Sequence, residues 1–168
     1  MTIKADYFLQ LKVRETFATS QQGAGSAVID HELLGGSGTL NGASSVPATQ
    51  VLDKRVTLVA GAATIDLTAA PGKTVDGSAI AIDLTGLKLQ LLKLVAHKDN
   101  TARVKVAEGA ANPYLLGGVT GAFDSLAAGE GVLHEFKNSL PDVDATHKNI
   151  DITSTMNTAI IDVLAVFG

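Results

Sequence analysis

Apolar and polar residues alternate in short runs along residues 56–168, and clusters of Gly, Pro, Asn and Asp separate one run from the next. Successive side chains of a strand point to opposite faces, so this period of two predicts strands with one buried face. Close spacing of the turn signals favours an all-β fold. We therefore predict that residues 51–168 form an antiparallel β-sandwich body.

The same alternation predicts the core and two local features. Residues 56–67 are expected to form a hairpin with Gly61 at the turn position that requires positive φ. Leu92 and Leu94 fall out of phase with the apolar residues before them, which predicts a β-bulge or a strand covered on both faces. The positions expected to be largely buried are Leu58, Ile65, Leu67, Ile82, Leu84, Leu89, Leu91, Val104, Val106, Ile152, Ile161 and Val163.

Residues 1–50 have a different character from the body. Residues 3–17 alternate and predict a long first strand, with a short helix as the alternative. Residues 19–45 contain six glycines and few large apolar side chains, too few to build a core of their own. We interpret them as an extended arm with one strand near residues 28–34. The arm's large apolar residues, expected to contact a neighbouring subunit or shell, are Val28, Ile29, Leu33, Leu34 and Leu40.

Composition narrows the functional classes. The chain has 168 residues, a formal net charge of −4, 4% aromatic residues and no Cys or Trp. A general nucleic-acid binder needs a positive field, which this chain lacks overall. Scarce aromatics disfavour carbohydrate binding, and without cysteine there is no disulfide. Charges interrupt residues 1–14, so we expect no signal peptide, and no apolar run approaches the roughly 20 residues of a membrane span. A soluble protein made in a cytoplasm is expected.

Charge is unevenly distributed along the chain. Five basic residues lie between positions 88 and 105 against Asp99 alone, and from Asp124 onward seven acids face only Lys137 and Lys148. One interpretation is that these are solvated strand edges and loops. The other is that oppositely charged faces meet in a repeated assembly. The basic residues that would then make assembly contacts are Lys88, Lys93, Lys98, Arg103 and Lys105.

No catalytic or cofactor motif is convincing, and we expect neither an enzyme nor a cofactor. The sequence Pro-Gly-Lys-Thr at residues 71–74 lacks the preceding glycine and the following helix of a phosphate-binding loop. Asp142 and Asp144 resemble the opening of a calcium loop, but His147 stands where that loop needs glycine. The alternatives there are a loose calcium site and a turn whose carboxylates bind local backbone. We expect no metal site.

Several segments of the body together carry a resemblance. They are "VTLVAGAATIDLT", "IDLTGLKLQLLKLVAHKDNTARVKVAEGAANPYLLGG", "LAAGEGV" and "KNIDITSTMNTAIIDVLAVFG". This pattern resembles small jelly-roll virion proteins of tailed bacteriophages. The resemblance implies a capsid decoration or cement protein in the virion, bound to the major capsid protein or other virion proteins. It also implies a homodimer or trimer without catalytic residues, nucleic acid or membrane. A tail, neck or baseplate component is the alternative, followed by a receptor- or carbohydrate-binding module.

Overall fold

The computed structural model describes residues 4–17, 27–41, 47–73, 79–117 and 122–168, and these ranges are all-β with antiparallel sheets. One turn of 3-10 helix, Leu67–Ala69, follows the fourth strand. The strands are β1 (Lys4–Phe17), β2 (Ala27–Asn41), β3 (Gln50–Thr57), β4 (Ala62–Asp66), β5 (Ala70–Lys73), β6 (Ala79–Ile82), β7 (Leu89–Ala96), β8 (Val104–Glu108), β9 (Ala122–Leu126), β10 (Gly131–Glu135), β11 (Asn149–Ser154) and β12 (Ile160–Phe167).

Eight of these strands form two four-stranded sheets, in the orders β10-β7-β12-β3 and β4-β11-β8-β9. The pairing is nested along the chain: β3 pairs with β12, β4 with β11, β7 with β10, and β8 with β9, all antiparallel. Pairs β12–β7 and β11–β8 then join these units into sheets. Every connection between successive strands of the two sheets, except that from β8 to β9, crosses from one sheet to the other.

The two sheets contribute their inner faces to one hydrophobic cluster, as in a β-sandwich. The inner residues of β12, among them Ile161 and Val163, belong to the same cluster as Val106 of β8 and Ile152 of β11. All the positions predicted to be buried are buried except Ile82, which is half-buried and packs against the cluster. Period-two alternation therefore identified buried positions, although Leu91 lies on the outer side of its sheet and not in the core cluster.

The predicted hairpin of residues 56–67 is wrong in its pairing, although its turn is correct. Ala60 and Gly61 both have positive φ, 53° and 78°, and Val59 and Ala62 exchange backbone hydrogen bonds of 3.1 and 3.2 Å. Beyond that bridge the chain separates, because β3 pairs with β12 and β4 pairs with β11 in the other sheet. The turn is thus a corner between the two sheets.

The predicted β-bulge is confirmed in β7. Val166 lies opposite Leu91 and Phe167 lies opposite Leu89, so Gln90 is the extra residue. Leu89 and, beyond the bulge, Leu92 and Leu94 join the core cluster, whereas Leu91 does not. The extra residue therefore explains the change of phase in the sequence.

A buried tyrosine ties two loops to the start of β7. The Tyr114 hydroxyl donates to the Pro141 carbonyl at 2.9 Å and accepts the Leu89 backbone N–H at 3.0 Å. Burial is the main cause that raises the pKa of Tyr114 to about 12. The hydroxyl thus satisfies the Leu89 N–H and the Pro141 carbonyl, two backbone groups at a site that is largely shielded from water.

The first strand is confirmed over Lys4–Phe17, and it pairs antiparallel with β2, from Lys4 opposite Asn41 to Phe17 opposite Ala27. The expectation of an irregular arm is therefore wrong for residues 27–41, where the predicted short strand extends well beyond residues 28–34. Backbone hydrogen bonds between β1 and β2 explain why this segment forms a strand, although its few large apolar side chains did not predict one. The side chains of the expected contacts Val28, Ile29, Leu33, Leu34 and Leu40 lie outside the described part of the structure.

Candidate interaction surfaces

The five basic residues predicted to make assembly contacts do not form one patch. Lys88 precedes β7 and Lys98 follows it, while Lys93 lies in the middle of that strand. Lys105 lies on β8 in the other sheet, next to Arg103, which immediately precedes the strand. The structure brings together only Arg103 and Lys105.

Acidic residues in the last third of the chain are engaged within the chain itself. Among the described residues, their two shortest contacts with basic side chains are the ion pair of Asp162 with Arg55 at 2.7 Å and the contact of Asp124 with the His134 ring at 2.7 Å. Arg55 also lowers the pKa of Asp162, chiefly through its hydrogen bond. The remaining contacts are Glu130–Arg103, Glu135–Lys137, Asp142–Lys88, Asp144–His147 and Asp151–Thr64. These contacts favour the interpretation of solvated charges over that of facing charged surfaces.

The outer face of sheet β10-β7-β12-β3 carries apolar side chains beside charged ones: Asp53 lies opposite Leu164, and Arg55 lies opposite Asp162. Strand register places Leu133, Lys93 and Leu164 side by side in one row, and Leu91 beside Val166 in the next. Leu164 is 41% exposed, and Lys93 is exposed with no ion pair in the part of the chain described here. We call this surface the apolar face; its residues are Val51, Lys93, Val95, Leu133 and Leu164, whereas Leu91 and Val166 on the same side are already buried within the chain.

The outer face of sheet β4-β11-β8-β9 is polar instead. The Thr64 hydroxyl donates to Asp151 Oδ1 at 2.6 Å across the β4–β11 pair. Further along β11, Thr153 lies directly opposite Lys105 of β8, and Lys105 lies opposite Ser125 of β9. The two sheets therefore present surfaces of different chemistry.

Two acidic side chains enter the interior, and the sequence analysis identified neither. His134 of β10 meets Asp124 of β9 across the sandwich, and its ring lies 4.5 Å from that of Phe123, centroid to centroid. Glu108 is 8% exposed, and neither of its carboxylate oxygens has a hydrogen-bond partner among the residues that the structure describes. The signal for Glu108 was present in the sequence, because it continues the inward series of Val104 and Val106.

The loop at residues 142–147 matches the turn alternative. Asp144 Oδ1 accepts the backbone N–H groups of Thr146 at 2.6 Å and His147 at 2.7 Å. Hydrogen bonds from Thr146 and His147 lower the pKa of Asp144 strongly. Asp142 lies 3.8 Å from Lys88 Nζ. Among the described residues, no group of three or more His, Cys, Asp or Glu side chains is arranged to hold a metal ion.

Comparison with known proteins adds no relative: no protein-family model matches the chain, and no curated protein is significantly similar to it. Within the ranges that the structure describes, no helix is both long and apolar enough to cross a membrane. Function must therefore be inferred from strand order, surface chemistry and the sequence pattern of the body.

Proposed function

We propose that the body is a jelly roll and that the protein is a virion structural component, which decorates or cements a bacteriophage capsid by binding other proteins. The observation that carries the proposal is the nested pairing of the eight body strands, first with last and inward to β8 with β9. Two four-stranded sheets linked in this way are the strand arrangement of jelly-roll domains, which are common in viral capsids. The sequence resemblance described above points to the same class.

The apolar face is the part of the body best suited to contact a capsid subunit. Central residues of protein interfaces are depleted in charge, and partly exposed leucine and valine side chains supply burial on association. Leu133 and Leu164 flank Lys93 in one row, and Asp53 of the edge strand β3 lies beyond Leu164, so the patch carries a cation at its centre and an acid at its edge. That cation would orient the contact by pairing with an acidic side chain of the partner. We propose that the N-terminal β1–β2 hairpin adds to this attachment.

The proposal can be tested by sedimenting purified protein with capsids that lack it. Leu164→Asp places a charge in the apolar face and should reduce the bound fraction strongly. Val59→Asp is the matched control, because Val59 is 80% exposed at the corner between the sheets. Removal of residues 1–45, which takes away both strands of the hairpin, should also weaken binding and leave the body folded. Binding of the Leu164→Asp protein as tight as that of the control would contradict the proposed surface.

A further inference from the structure

A groove of about 390 Å³ lies where β8 and β11 meet at the polar surface of the second sheet. Its lining consists of Arg103, Lys105, Thr153, Ser154 and Thr155. Lys105 and Thr153 are directly opposed in the antiparallel pair, so their side chains leave the sheet on the same side. The groove therefore rests on paired strands, which fix the spacing of its polar groups.

Arg103 is held in place by its neighbours. Its Nε donates to Ser125 Oγ at 3.0 Å, and its Nη2 donates to the Ser125 carbonyl and to Glu130 Oε2 at 3.3 Å. In the part of the chain that is described, Nη1 makes no hydrogen bond. A guanidinium fixed on one edge loses little further freedom when its other edge binds a ligand.

Most of the other polar side chains of the groove can donate a hydrogen bond and have no acceptor among the described residues. Within the described residues, the Lys105 ammonium and the Thr153 and Thr155 hydroxyls have no hydrogen-bond partner. No acid lines the groove: Glu130 is bound to Arg103, and the Asp151 carboxylate accepts from Thr64 and from the Ala110 N–H at 2.8 Å. Two cations against one neighbouring carboxylate leave the site positive.

We propose that this groove binds an oxyanion, the chemistry shared by a carboxylate and a phosphate group. Arg103 Nη1 and Lys105 Nζ supply charged donors, and Thr153 supplies a hydroxyl donor beside Lys105. Charge-assisted hydrogen bonds of this kind are stronger than neutral ones, and a guanidinium matches the oxygen spacing of both groups. The proposal goes beyond the virion role and holds for the isolated protein, whatever particle it belongs to.

The test is a titration of the isotopically labelled, full-length protein followed by NMR. Sodium phosphate and sodium acetate are added separately, with sodium chloride at matched ionic strength as the control. We expect the backbone signals of residues 103, 105 and 153–155 to shift and saturate with at least one oxyanion. Sodium chloride should not produce these shifts. Tighter binding of acetate would indicate a protein carboxylate as the natural ligand, and tighter binding of phosphate a phosphate group.

Two lysine variants make the test specific. Lys105→Gln removes one charged donor and should weaken binding by about five-fold or more. Lys93→Gln removes an exposed lysine from the other sheet and should leave the affinity unchanged. Lys105 is exposed, so its replacement should preserve the spectrum of the folded body. Shifts that chloride reproduces, or equal affinities for Lys105→Gln and Lys93→Gln, would overturn the proposal.

Discussion

Gln90 and Asn138 form a closed pair of hydrogen bonds: Gln90 Nε2 donates to Asn138 Oδ1 at 2.7 Å, and Gln90 Oε1 accepts the Asn138 backbone N–H at 3.0 Å. Gln90 Nε2 also donates to the Gly168 carbonyl at 3.0 Å. Gln90 is fully buried and is the extra residue of the β7 bulge. One side chain therefore joins the bulge, the turn after β10 and the last residue of the chain.

Replacement of Gln90 by leucine should destabilise the protein despite the similar size of the two side chains. Leucine would leave the Asn138 amide groups and the Gly168 carbonyl without this partner. We expect the free energy of unfolding to fall by about 1–3 kcal/mol, because leucine makes none of the three hydrogen bonds of the Gln90 side chain, each of which contributes about 0.5–1.5 kcal/mol net. Urea denaturation measures the change. A stability equal to that of the parent would mean that water replaces the side chain at no cost.

Two positions on β12 should respond very differently to truncation. Ile161 is fully buried in the core and Leu164 is 41% exposed on the apolar face. Ile161→Ala should cost about 2–5 kcal/mol, since it removes core contacts and leaves a cavity. Leu164→Ala should cost clearly less, about 1 kcal/mol in the isolated protein, because the side chain is already partly exposed and its removal leaves no enclosed core cavity. Equal losses in thermal or urea unfolding would contradict the assigned faces.

Replacement of Glu108 by an apolar residue should have the opposite effect and maintain or raise the stability. The Glu108 carboxylate is buried beside Val106 and Ile150, and no hydrogen-bond partner for it lies in the described ranges of the chain. Replacing a buried charged group by an apolar side chain of similar volume is often neutral or stabilising. Glu108→Met should therefore leave the melting temperature unchanged or raise it. A clear drop would show that the carboxylate makes a favourable contact in solution.

The ion pair between Asp66 and Lys148 should make stability depend on pH. Lys148 Nζ lies 2.7 Å from Asp66 Oδ2, and that bond, followed by one from Thr68, lowers the pKa of Asp66. A carboxyl group whose pKa is lower in the folded state stabilises the fold above its unfolded pKa of about 4. That contribution is lost as the pH falls through the lower, folded value.

Asp66→Asn keeps an oxygen acceptor for the Thr68 N–H and removes the charge. At neutral pH it should cost about 1 kcal/mol or less, because the pair is partly exposed. The difference from the parent protein should shrink as the pH falls below about 4 and disappear in stronger acid, once the pH lies below the lowered, folded pKa of Asp66. A double-mutant cycle with Lys148→Gln, repeated at neutral pH and in strong acid, isolates the pair. A coupling energy that persists in acid would rule out the ionic origin.

Sequence periodicity predicted the inner faces of the body because burial on one side of a strand leaves a direct trace in the order of residues. Ile152 and Ile161 were both assigned to buried positions and belong to the core cluster, and the phase change at Leu92 marked the bulge. Pairing partners leave no such trace: Val56 and Ile65 flank a good turn, yet their strands belong to different sheets. Long-range register is determined by tertiary packing, which a single sequence does not encode in local pattern.

The candidate surfaces were only partly predictable for the same reason. Arg103 and Lys105 were identified from local charge, but their groove also requires Thr153 of β11 and Thr155 just after that strand, which lie far along the chain. The apolar face could be anticipated in β12, where both faces are apolar in the sequence. Its neighbours Leu133 and Lys93 join it only through the strand order β10-β7-β12.

Localisation on the virion tests the central claim most directly. Purified phage particles that encode this chain would be labelled with an antibody against the body and imaged by electron microscopy. The virion proposal predicts label spread over the capsid shell at regular density. Label confined to the tail or neck would favour the alternative virion role. Particles that carry no label, while the protein is present in the infected cell, would contradict the assignment as a virion structural protein.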